Sequence, residues 1–61
     1  MEARFKIEAW SRTDNLEREI AIVDDIMVAR AAFNAAAAQW PDARLTLRQG
    51  IRVLMEHPER S

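Results

Sequence analysis

The stretch Arg44-Leu45-Thr46-Leu47-Arg48-Gln49-Gly50-Ile51-Arg52-Val53-Leu54-Met55 holds two alternating runs on either side of the chain's only glycine. Apolar and polar residues that alternate about a turn residue predict a β-hairpin, with strands over about 43–48 and 51–56. A two-residue loop over Gln49 and Gly50 would set Arg48 opposite Ile51 and Leu47 opposite Arg52, mixing charge and apolar surface on both faces. A type I turn over Arg48 and Gln49, with Gly50 left-handed in a G1 bulge, instead pairs Leu47 with Ile51 and Leu45 with Val53. That register predicts one face of Leu45, Leu47, Ile51, Val53 and Met55. The other face carries Arg44, Thr46, Arg52 and Leu54.

Outward from the hairpin, Pro41 closes a helix expected over about 25–40, because its ring disfavours helical geometry at Trp40 and offers no amide hydrogen. The helix begins at Asp24-Asp25, where a carboxylate can accept from the free amides of the first turn. Ile26, Ala29, Phe33, Ala36 and Trp40 recur at helical spacing and predict the buried stripe, with Trp40 closing one end of the core. The far side carries Ala31, Ala35 and Ala38 with Val28, Arg30 and Asn34. Alanine's helix propensity accounts for this, and a flat uncharged face also admits another backbone.

At the N-terminus, Phe5, Ile7 and Ala9 alternate with Arg4, Lys6, Glu8 and Trp10, predicting a strand over about 3–11. Ser11-Arg12-Thr13-Asp14-Asn15 marks a turn. A second strand over about 16–23 is expected to turn Leu16, Ile20 and Ile22 inward and Glu17, Glu19, Ala21 and Val23 outward. Its second half is apolar on both faces, which fits a central strand or an outer face covered by a partner. The expectation is an α+β fold in the order ββαββ, a mainly antiparallel four-stranded sheet with one helix on one face and a single domain over 1–61. Its expected core is Phe5, Ile7, Ile20, Ile22, Ala29, Phe33, Leu45, Leu47, Ile51 and Val53.

Composition restricts the chemistry. A chain of 61 residues buries a small core and is marginal as a lone monomer, so self-association is expected. Without cysteine there is no disulfide, thiolate zinc site or cysteine nucleophile. The sole histidine, His57, lies near the end and is expected as an exposed tail residue with no nucleophile beside it. One glycine precludes a glycine-rich phosphate loop. No catalytic residue, metal ligand or cofactor site is predicted, and a non-enzymatic protein is expected. The chain shows no membrane-length apolar run and no signal-peptide opening, so it reads as cytoplasmic, with no membrane partner.

With a single helix, the other sheet face stays bare, and Trp10, Val23 and Leu54, flanked by Arg44 and Arg52, are its predicted interaction surface. Two kinds of partner follow. One is protein, either a second copy in a homodimer or a larger partner. The other is nucleic acid, with Arg4, Lys6, Arg44, Arg48 and Arg52 on phosphates and Trp10 stacked on a base. Glu8, Glu17 and Glu19 on that face weigh against nucleic acid, since phosphate binding rewards uncompensated cations. The span from Ala29-Arg30-Ala31-Ala32-Phe33 through Pro41 to Leu54 resembles the helix-plus-hairpin ending of many short bacterial and phage proteins. That resemblance implies a compact module, and inhibitors of bacterial defence complexes, which act by surface contact, would suit its residues.

Overall fold

The computed structural model describes residues 4–58. The order is β1 (Phe5–Trp10), β2 (Leu16–Val23), α1 (Ile26–Gln39), β3 (Arg44–Gln49) and β4 (Arg52–His57). The strands form one antiparallel sheet in the order β2-β1-β3-β4. This is the expected ββαββ architecture. The proposed start of the first strand at Ala3 lies outside the described residues.

Phe5, Ile7 and Ala9 of β1 and Leu45 and Leu47 of β3 point to the helix side, where they join Ala29, Phe33 and Ala36 of α1 in the core. Ile7 pairs with Leu47 and Ala9 with Leu45, so the two central strands give the helix a continuous apolar floor. Asp25 caps α1, its Oδ1 accepting from the amides of Met27 at 2.8 Å and Val28 at 3.1 Å. The opposite end stops where the Trp40 amide donates to the Ala36 carbonyl at 2.8 Å, just before Pro41. The stripe is shorter than its spacing predicts: Ile26 and Trp40 are exposed. Trp40 does not plug the core; the Arg18 guanidinium lies 4.7 Å from its ring centroid, a cation–π contact at the surface.

The hairpin register differs from the expected one. Gln49 pairs with Arg52, leaving a two-residue loop of Gly50 and Ile51. Gly50 has φ +60° while Ile51 keeps an ordinary negative φ, the sign pattern of a type II′ turn with glycine at its first central position. Ile51 is therefore a turn tip, 98% exposed, and Val53 is 48% exposed; neither belongs to the core. Carried through unbroken, this register would turn Glu56 inward opposite Leu45. A bulge removes the conflict: Arg48 pairs with Val53 but Leu47 with Met55, so Leu54 is the extra residue. Leu54 and Met55 both pack against the core, and Glu56 pairs with Thr46 instead.

β2 changes parity by the same device. Ile7 pairs with Ala21 and Glu8 with Glu19, which makes Ile20 the extra residue; a second irregularity follows before Trp10 meets Leu16. Ala21 and Val23 take the helix side and pack on the core, as does Ile20 from the bulge. Ile22, expected in the core, is 49% exposed. β2 is an edge strand, so its two-sided apolar half does not come from a central position. Bulges on both outer strands also twist and interrupt the sheet's free edges.

Between β1 and β2, Ser11 organises the turn: its Oγ accepts from the Thr13 and Asn15 amides at 3.2 and 3.1 Å. Asp14 sits there at φ +65°, a conformation that Asp tolerates. His57 is not a loose tail residue. It closes β4, half-buried, and its Nε2 donates to the Pro41 carbonyl at 2.9 Å. Among the described residues no helix is long and apolar enough to cross a membrane.

Gly50 has no heavy atom within 4 Å of where a Cβ would stand, so backbone strain alone decides the effect of replacing it. Gly50→Val is expected to cost about 1–3 kcal/mol and to lower Tm by roughly 4–8 °C for each kcal/mol. Gly50→Asn should cost less, since Asn is found at positive φ more readily than a β-branched residue. Thermal melts of the two variants check the order, and an unchanged valine variant would contradict the II′ turn.

Candidate interaction face

The face away from α1 is built from cross-strand pairs that line up in three rows. Ile22, Lys6, Arg48 and Val53 form the first, and Glu19, Glu8, Thr46 and Glu56 the second. Leu16, Trp10 and Arg44 form the third. A row with two central cations thus lies against a row rich in carboxylates, and directly opposed residues share a face at close range.

The two cations of the first row are each held by a carboxylate of the second, whose third carboxylate, Glu56, has no ion pair among the described residues. Arg48 Nη2 donates to Glu8 Oε2 at 3.0 Å. Lys6 Nζ stands 3.8 Å from Glu19 Oε2, and Arg44 reaches across to Asp14 in the β1–β2 turn. The two exposed pairs contribute little to stability, about 0–1 kcal/mol each. The Glu8 pair is different, because Glu8 is only 2% exposed on a face that no helix covers. The lid over it is made of side chains. Arg48 closes on its carboxylate, and alongside, the Trp10 indole N–H donates to Thr46 Oγ1 at 2.8 Å, leaving Thr46 itself buried. Arg48 Nη2 stands 3.0 Å from Glu8 Oε1 as well, an ion-pair contact, but Oε1 accepts no well-directed hydrogen bond and Arg48 Nε donates none. Burying such a pair is expensive, and the cost grows if one partner is lost.

Of the five residues predicted for the interaction surface, Trp10 and Arg44 stand together in the third row of this face. Val23 and Leu54 do not join them, because the bulges at Ile20 and Leu54 turn both toward the helix, where they pack against the core. Arg52 pairs with Gln49 at the hairpin end and alternates to the helix side, since its neighbour Val53 opposes Arg48 on the open side. The apolar residues of the open face are instead Leu16, Ile22 and Val53, all exposed. They sit at the outer strands, around a polar centre. Leu16 and Ile22 were legible as apolar but were assigned to the other side. The burial of Glu8 left no signal in the sequence, where it is one alternating charge among several.

The pairing bears on what the face can recognise. Lys6, Arg44 and Arg48 each already hold a carboxylate, so they are not the uncompensated cations that phosphate binding rewards. Among the described residues no three His, Asp or Glu side chains converge as a metal site would require. Comparison with known proteins finds no matching family model, no matching curated protein and no matching solved structure.

Removing one member of the buried pair should be worse than removing both. Arg48→Met is expected to destabilise by more than 1 kcal/mol by stranding the Glu8 carboxylate, and Glu8→Met with Arg48→Met to recover much of that loss. Urea unfolding of the two single variants and the double variant measures the coupling. Additive losses would mean that the pair contributes no specific interaction.

Proposed function

We propose that this protein is a non-enzymatic interaction module whose open sheet face docks on protein, either a second copy or a larger partner. In this reading it is an inhibitor or adaptor that acts by surface contact. The observation that carries the reading is the composition of that face: an apolar rim of Leu16, Ile22 and Val53 around a centre whose cations are held by acids of the same chain. Such a face has little to offer a polyanion. It suits a surface that brings its own apolar side chains to the rim and polar groups to Trp10, Thr46 and Arg44.

In a self-associated form the same face would meet itself across a two-fold axis, with the exposed rim of Leu16, Ile22 and Val53 supplying the apolar contact. Trp10 is the natural anchor, because aromatic residues dominate interface energetics. The small core, with no cross-link to reinforce it, gives the chain a reason to gain stability from a partner.

The test separates docking from folding by substituting exposed rim residues. Light scattering at high micromolar concentration should show self-association, or a tagged chain should retain a protein partner. Leu16→Glu with Ile22→Glu should abolish that contact while leaving the circular dichroism spectrum unchanged. A monomer whose partner binding and biological effect survive both substitutions would remove the proposal.

A further inference from the structure

The helix side of the sheet is only partly covered. Four strands about 4.8 Å apart span roughly 14 Å between their outer axes before side chains are added, whereas one helix is about 10 Å across. α1 packs on β1, β2 and β3, and the side of β4 that faces the helix layer is left beside it. A cleft of about 420 Å³ runs there, lined by Phe33, Asn34 and Ala37 of α1 and by residues of β4. It continues toward the start of α1 as a second hollow, of about 240 Å³, between Ile26, Arg30, Leu47, Leu54 and Met55. The hollow near the start of α1 is mainly apolar and the longer cleft is mixed, and together they occupy the position a second helix would take beside α1.

The charges around this groove are uneven. Arg30 is the only charged residue of α1 and lines the hollow near the helix start. Arg52, at the start of β4, alternates toward the same side. Among the described residues neither the Arg30 nor the Arg52 side chain makes a hydrogen bond or ion pair, in contrast to those of Lys6, Arg44 and Arg48 on the open face. At the far end Glu56 and His57 line the cleft; His57 is engaged with the Pro41 carbonyl, whereas the exposed Glu56 holds no ion pair among the described residues, so the groove is cationic toward the start of α1 and anionic at its other end.

We infer that the groove between α1 and β4 receives an acidic amphipathic helix from another protein, its apolar stripe on Leu54, Met55 and Phe33 and a carboxylate on Arg30. This site lies on the helix side of the sheet and does not rest on the reading of the open face, although Val53 and Glu56 of the edge strand border both. The charge decides the occupant. A second copy of α1 has the length to fill the groove, but it carries no carboxylate and would set Arg30 against an uncharged surface. A partner helix with acids on the flank nearest the start of α1 complements it, in the helix-in-groove mode of recognition.

The chain has no native cysteine, so Asn34→Cys places a single environment-sensitive fluorophore at the rim of the groove. The probes are two synthetic helical peptides with one leucine stripe at i, i+3, i+4 and i+7, flanked in one by glutamates and in the other by lysines. The glutamate peptide should bind at least tenfold more tightly. Arg30→Glu, a substitution at an exposed position without a partner, should reverse that preference while the circular dichroism spectrum stays unchanged. Equal affinities, no binding of either peptide at high micromolar concentration, or a preference that survives Arg30→Glu would overturn the inference. A fluorophore signal that responds to unlabelled protein alone would also overturn it, by showing a second copy in the groove.

Discussion

One helix laid on four strands cannot cover them, and this mismatch of widths governs how the molecule uses its surface. The two central strands are buried under α1, and their inward residues supply five of the eight core side chains, the other three coming from the helix. The outer strands are only partly served. Each changes parity along its length, so that part of its apolar content packs inward and the remainder lies in the open. The exposed Ile22 and Val53 and the half-buried Leu54 and Met55 are consequences of the same geometric shortfall.

The open face shows how a sheet without a covering layer can still bury polar side chains. Long cationic side chains and an indole lie across it, and a glutamate at its centre becomes as inaccessible as a core residue. This arrangement consumes the cations that would otherwise attract phosphate. The two sides of the sheet therefore differ in electrostatic character: on the open side the cations Lys6, Arg44 and Arg48 are held by carboxylates, whereas among the described residues the Arg30 and Arg52 side chains beside the groove have no such partner.

The order of elements, the antiparallel hairpins, the capped helix and the Ala29–Phe33–Ala36 stripe were all legible in the chain. Each depends on local rules: alternation, an Asp accepting from helix amides, a proline that ends a helix, a glycine at a turn. The Phe5–Ile7–Ala9 and Leu45–Leu47 faces were legible for the same reason, and both strands became central. Misreadings gathered where a strand lies at an edge. Ile22, Val23, Val53 and Leu54 lie on the side opposite to the one their alternation predicts and Ile51 is a turn tip, because the two-residue loop and the bulges each shift parity, and a shift of one residue inverts every side chain beyond it.

The sequence by itself determined which segments are strand and which are helix, and which faces of the central strands are apolar, since these follow from contacts within a few residues. Only the tertiary structure decided the parity of the outer strands, the burial of Glu8 and the groove beside α1. The physical reason is that a bulge forms in response to the neighbouring strand. Leu54 is displaced because Met55 must meet Leu47 while Glu56 stays out of the core, and the extra residue at Ile20 lets Ile20 and Ala21 both pack on the core. Those requirements exist only once strands distant in the chain lie side by side.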